Sequence, residues 1–362
     1  MRSGMQAPAL RRDSVAWELT RAILVLLAIV GTTVLLLFVG GYSVSSGLAA
    51  LWRGSLGSWY AFTSATLVRA IPLMLTGVAV AIAFRAGVLN IGAEGQLLAG
   101  AAAGAAVALT LGGLPAAIVV VLALAASAVG GAGWASLAAF LRSRFAVLEV
   151  ISTIMLNFVA LYAVSYLVRG PLQEPTHVYP QSSTIGDAIH LPRIVGAGRL
   201  HSGLLLALGV SFVAGWVLRR TAAGFRLIAA GESPSAATSA GGIDVMATTT
   251  RTFLVSGALA GLAGGVEVLG VTFALYENIS PGYGYTAIAV ALLARLDPWR
   301  VAVTALLFGG LEAGAGAMQR DAGVPSTLVT VIEAALILAV VAAGALRRRS
   351  SFPASDTSPI TA

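Results

Sequence analysis

A long apolar run is interrupted at Arg85-Ala-Gly-Val-Leu-Asn90-Ile-Gly-Ala-Glu94-Gly-Gln96 by an amide, a carboxylate and a second amide. Side chains of these types can donate and accept hydrogen bonds to a polar solute inside otherwise apolar surroundings. Read as one helix, Asn90 and Glu94 stand four residues apart and share a side. An ionised acid at mid-bilayer depth costs about 2.5–3.5 kcal/mol even on the lenient insertion scale, so Glu94 should face protein or water. Gly87, Gly92 and Gly95 allow close backbone approach or a broken helix. The other reading is a short cytoplasmic turn between two spans, with Glu94 in water. Further polar groups inside apolar runs are Arg69, Asn157, Glu267, Glu312 and Glu333. Arg69 is the candidate counter-charge for Glu267 or Glu312. Asn157 suits a helix-to-helix hydrogen bond or a ligand contact, whereas Glu312 and Glu333 lie where they could reach the interface. The candidate substrate-binding residues are therefore Asn90, Glu94, Gln96, Asn157 and Glu267.

Other chemistries are excluded by what the chain lacks. It has no cysteine, and all 22 basic residues are arginine. A phosphate-binding GxxxxGK[ST] loop needs its lysine, so the chain cannot itself be a P-loop ATPase. His177, His190 and His201 have no metal-ligand spacing and read as surface-loop residues, and no metal site is expected. No nucleophile elbow, HExxH motif or productive carboxylate pair is present. Enzymatic activity and a cofactor are not expected in this chain. If it moves a solute, the energy comes from an ion gradient or a partner.

The elements that position these residues are membrane spans. With 58% apolar and 10% charged residues, the composition is that of an integral membrane protein. Apolar stretches at 22–41, 62–84, 86–111, 115–141, 147–168, 204–218, 252–275, 285–296, 301–317 and 326–346 predict an all-α polytopic protein of about ten transmembrane helices. The stretch 285–296 is too short to cross alone. Residues 1–21 are expected to form a polar cytoplasmic N-terminal segment, 22–346 the transmembrane domain, and 347–362 a cytoplasmic tail that is Ser/Thr/Pro-rich from Ser350. Two long connections stand out: 170–202, with four prolines, on the outer side, and the basic 219–251 on the inner side. The arginines favour an even span count with both ends cytoplasmic, and serve topology rather than nucleic-acid binding. An odd number of spans per half would make any two five-helix halves inverted repeats. Small-xxx-small faces at Gly100/Gly104, Gly257/Gly261/Gly265 and Gly310/Gly314 predict close helix packing.

Within the inner connection, Ser233 and Pro234 suit the N-cap and first position of a short helix, and glycines at 241 and 242 suit its stop. Such a helix could lie in a groove on a soluble partner. At this point the sequence resembles a family. FRAGVLNIGAEGQ at 84–96, EVISTIMLNF at 149–158, GESPSAATSAGGI at 231–243 and ISPGYGYTAIAVALLAR at 279–295 together resemble the permease subunit of bacterial nucleoside-type ABC importers. That group lies within the ribose and branched-chain amino-acid permease superfamily.

The resemblance implies a bacterial cytoplasmic membrane location and a second related permease subunit enclosing one pathway. It also implies a cytoplasmic ATPase carrying ATP and Mg, and an extracytoplasmic substrate-binding lipoprotein. The ATPase would engage Gly231, Glu232, Ser233, Pro234, Ala236, Ala237, Ala240 and Gly241. Glu232 departs from the asparagine frequent in the family, and Glu312 and Glu333 are acids at positions usually less acidic. A simple-sugar permease with the same machinery is the alternative. An ion-coupled carrier and a membrane scaffold are the readings from other classes.

Overall fold

Apolar stretches of this length bury their backbone polar groups by forming helices, because the bilayer offers those groups no partner. The computed structural model describes residues 30–196 and 198–325, with isolated positions at 27 and between 327 and 338. The described chain is helical, and only isolated β-bridges occur in it. Helix α1 covers Val30–Val39 and α2 Val44–Ser55. Helix α3 runs Trp59–Arg85 with a π turn at Phe62–Thr66. Then come α4 Ala93–Thr110, α5 Ala116–Phe145, α6 Glu149–Arg169 and α7 Gly203–Arg220. Two short helices, α8 Ala222–Glu232 and α9 Pro234–Gly241, precede α10 at Val245–Thr272, which ends in a π turn. Helix α11 is Tyr283–Leu293 and α12 is Pro298–Asp321. Six of these, α3, α5, α6, α7, α10 and α12, are long and apolar enough to cross a membrane.

The chain divides into two compact units, residues 52–314 and residues 1–51 with 315–362. In the smaller unit Leu37 of α1 is fully buried and its side chain fills the space beside Gly47. The polar segment 1–21, the tail 347–362 and Glu333 lie outside the described residues.

The larger unit is built around α4, α5 and α10, which pack on one another, with α3 against α10 and α11. Glycine makes the closest of these contacts possible. A methyl group at Gly100 of α4 would overlap the backbone of Gly261 on α10, and one at Gly131 of α5 would overlap Gly257 and Gly261. Two of the three expected small-residue faces are used in this way, whereas Gly310 makes only an ordinary contact with Thr66. Gly261→Val is expected to destabilise the protein by at least about 2–3 kcal/mol, because backbone cannot yield as a side-chain tip can. A detergent melting curve indistinguishable from the wild type would contradict this packing.

Three sequence expectations change. The stretch expected to span from 86 to 111 is broken, and the helix begins only at Ala93. Helix α10 starts at Val245, seven residues before the expected 252, because the Asp244 carboxylate accepts the Ala247 N–H at 2.9 Å and caps it. Ser233 takes the N-cap position of α9 with Pro234 first in the helix, but its hydroxyl makes no capping bond. The expected glycine stop is present. Gly242 has φ +58, and the Ile243 N–H returns to Ala237 O at 3.0 Å.

Candidate functional site

The break after α3 organises the interior. Helix α3 stops at Arg85, Gly87 takes φ +71, and residues 86–92 run without helix to Gly92 at the N-cap of α4. Asn90 therefore does not share a helix face with Glu94, contrary to the four-residue spacing. Ala86 and Val88 are buried against Phe253, Ala138 and Ala139, so this irregular backbone sits inside protein, where such backbone is tolerated. Glu94 is only 7% exposed, which rules out the reading of a solvated turn.

Side-chain amides hold the break in shape. Asn90 Nδ2 donates to Gln96 Oε1 and Gln96 Nε2 donates to Asn90 Oδ1, both at 2.9 Å. Asn90 also donates to Ser256 Oγ at 2.9 Å, and that hydroxyl donates to Ala79 O, tying α3 and α10 to the loop. Asn157 of α6 accepts the Gly95 N–H at 2.8 Å and donates to Ile91 O at 3.0 Å and to Tyr285 Oη at 3.2 Å. These amides therefore use their bonding capacity mainly within the protein. A buried donor or acceptor left unpaired costs about 1–3 kcal/mol, so the network specifies one loop conformation.

Glu94 differs. It begins α4, and its Oε2 accepts the Gly284 N–H of α11 at 2.7 Å, with Ser280 as a further partner. A methyl group on Gly284 would overlap the Glu94 backbone, so the two helices meet start to start. The start of a helix carries a partial positive charge, and one acidic side chain here offsets two of them. Tyr283, buried at the same junction, lies within electrostatic reach of Glu94, Glu267, Glu312 and Arg69. Glu267, at the last α-helical turn of α10, also feels Arg69 and Arg199. The fold thus brings Glu94 and Glu267 to one cluster around Tyr283, with Asn157 beside it through its bonds to Gly95 N–H and Tyr285 Oη. Ser280, Tyr283 and Gly284 are the residues that sequence reasoning missed. Their signal was the Ser-Pro-Gly-Tyr-Gly run at 280–284, a break of the same type as the one at 86–92.

The short helix expected in the 219–251 connection is α9. Glu232, Ser233, Pro234, Ala236, Ala240 and Gly241 are exposed there, while Ala237 is buried. Gly231 belongs to the end of α8 and lies on the break itself. A methyl group on it would overlap Arg85 O, and one on Gly87 would sit 3.3 Å from Gly231 Cα. Arg85 in turn donates to Leu296 O at 3.1 Å, and Arg219 pairs with Asp297 and lies 4.0 Å above the Trp299 ring. The ends of α3, α7 and α11 and the α8–α9 arm are thereby joined.

At the other end of the bundle, Glu277 accepts from Arg169 Nη2 and from Ser165 Oγ, each at 2.6 Å. Those bonds hold its carboxyl below the usual carboxylate range. Of the three histidines expected at the surface, His177 is exposed, His190 stacks on Phe273 at 3.8 Å, and His201 is buried against Gly203 and Gly270. Burial pushes the His201 imidazole down to about 4, so it stays neutral near pH 7.

Residues 62–341 match the family described as branched-chain amino acid transport system, permease component. The chain belongs to this family. Its members are permease components and not the catalytic subunits of their transport systems. The permease is 38% identical over 317 residues to the guanosine ABC transporter permease protein NupP of Bacillus subtilis, covering 86% of this chain and 90% of that one. A second guanosine permease protein of that organism, NupQ, is 29% identical over 252 residues, 68% of this chain and 78% of its own. The glucose ABC transporter permease protein TsgB13 of Haloferax volcanii is 38% identical over 292 residues, 78% and 76% of the two chains. No solved structure matches.

Proposed function

We propose that this permease is the membrane-spanning subunit of an ATP-driven nucleoside importer in the bacterial cytoplasmic membrane. It works with a second related permease subunit, a cytoplasmic ATPase holding ATP and Mg, and an extracytoplasmic substrate-binding lipoprotein. The observation that carries the reading is the match to NupP over 90% of that guanosine permease, in a chain with an interior polar cluster at Glu94. That two guanosine permease proteins of one organism are both similar to this chain supports the second subunit. Nucleosides suit a polar cluster set among apolar helices, because base edges and ribose hydroxyls need donors and acceptors.

In this mechanism the ATPase grips α9 through Pro234, Ala236, Ala240 and Gly241. Motion passes through Gly231 to the break at 86–92, which carries Asn90 and Gln96 as its brace and Glu94 as its contact to α11. Parting of Glu94 from Gly284 opens the interior, where Glu94, Glu267 and Asn157 meet the solute. Ten spans follow when α1, α4, α11 and the apolar stretch 326–346 of the sequence join the six long ones, which leaves both ends cytoplasmic. Inverted halves are supported by a matching pair of contacts: α4 follows α3 and packs on α10, while α11 follows α10 and packs on α3.

Uptake of labelled guanosine by cells carrying the whole system tests the proposal. Excess unlabelled adenosine or cytidine is expected to suppress it at least tenfold more effectively than ribose or glucose. A second reading, a sugar permease, is favoured by the match to TsgB13, and predicts the reverse order. Uptake that persists when the ATPase is inactivated, and stops when the proton gradient is collapsed, would establish an ion-coupled carrier instead.

A further inference from the structure

A groove of about 650 Å³ runs along the outside of the larger unit between α7, α8 and α10. Its walls are Val210, Val213 and Val217 of α7 and Val255 and Leu259 of α10. From Leu205 to Leu218 the α7 side extends about 20 Å at the helical rise. That is close to the depth of one bilayer leaflet, half of a membrane about 40–45 Å thick with its headgroups. Polarity is confined to one end. Arg226 of α8 and Arg251 of α10 stand there beside the hydroxyls of Thr248 and Thr252. Both arginines are exposed, and among the described residues neither has an acidic partner.

We propose that this groove binds one anionic phospholipid, with an acyl chain along α7 and α10 and the phosphate held by Arg226 and Arg251. The gradient decides the class of occupant. A wall with every polar group at one end complements an amphiphile lying parallel to α7, whereas a neighbouring protein helix would be apolar along the whole contact. Guanidinium groups recognise phosphate through paired N–H donors, and basic pockets between spanning helices bind anionic headgroups in this way. The inference needs only that the chain is embedded in a membrane. It stands or falls separately from the identity of the solute.

Gly209 supplies the discriminating variant, because a methyl group there would meet nothing within 4 Å and would project into free space. Gly209→Leu therefore fills the groove without disturbing the helix. The full chain is reconstituted with equal amounts of phosphatidylglycerol and phosphatidylcholine, extracted in detergent, and its retained lipid counted by native mass spectrometry. Wild type is expected to keep phosphatidylglycerol about 30-fold over phosphatidylcholine, each arginine contributing about fivefold. Arg226→Gln on exposed α8 should lower the ratio about fivefold, and Arg226→Gln with Arg251→Gln should bring it near one. Gly209→Leu should abolish retention of the site's lipid. Equal retention of the two lipids by wild type, or unchanged retention by Gly209→Leu, overturns the proposal. So does loss of association with a second permease subunit in Gly209→Leu while lipid retention persists, since the groove would then be a protein interface.

Discussion

Glu94→Ala is expected to reduce solute uptake about tenfold while the protein still inserts and folds. The carboxyl group accepts the Gly284 N–H at 2.7 Å from the start of one helix while standing at the start of another. Without it, two positive helix ends face each other and a buried N–H loses its acceptor, a penalty of about 1–3 kcal/mol. Since about 1.4 kcal/mol is a factor of ten, even the lower half of that range changes the balance between closed and open junctions severalfold. Glu94→Gln keeps an acceptor but not an acid, so it should fall between Ala and wild type. Uptake by proteoliposomes of the assembled system, with helical content checked by circular dichroism, makes the measurement. Wild-type uptake by Glu94→Ala would remove the junction from the solute's route.

The second large effect is expected at Gly231, which packs on the backbone of the break and is not among the residues proposed to meet the solute. A side chain there meets Arg85 O, and Ala86 C and Gly87 N lie 2.8 Å from the position of a methyl group. These are backbone atoms of a segment already constrained by φ +71 at Gly87, so the arm must move away from the break. Gly231→Val should lower uptake at least tenfold while nucleotide hydrolysis by the partner continues, and Gly231→Ala should do the same to a smaller degree. The separation of the two activities is the diagnostic result when measured on the purified complex that still contains the variant chain, because a misfolded permease would be lost from that assembly. Uptake and hydrolysis that both stay at wild-type levels would show that force does not pass through this contact.

Several features were legible without coordinates because they depend on energies that are local and nearly additive along the chain. Apolar length predicts spanning helices residue by residue, and the absence of lysine excludes a P-loop wherever the chain goes. Pro234 and the glycines at 241–242 mark α9 through their own backbone preferences, and Gly100, Gly257 and Gly261 announce close packing by lacking a side chain. The burial of Glu94 also follows from the cost of placing an acid in hydrocarbon.

What the acid touches does not follow from any local rule. Glu94 and Gly284 are 190 positions apart, and Asn90 meets Ser256 across 166. The amides at 90 and 96 looked like solute ligands by type, yet their distance in space lets them satisfy each other, which only the non-helical path of residues 86–92 permits. His201 looked like a loop residue and is buried, because Gly203 and Gly270 leave room for its ring. Chain composition therefore determined that this protein lives in a membrane and that it is helical, while the path of residues 86–92 came only with the fold. Packing alone decided which broken ends meet, because a contact between distant segments depends on the shape of everything between them.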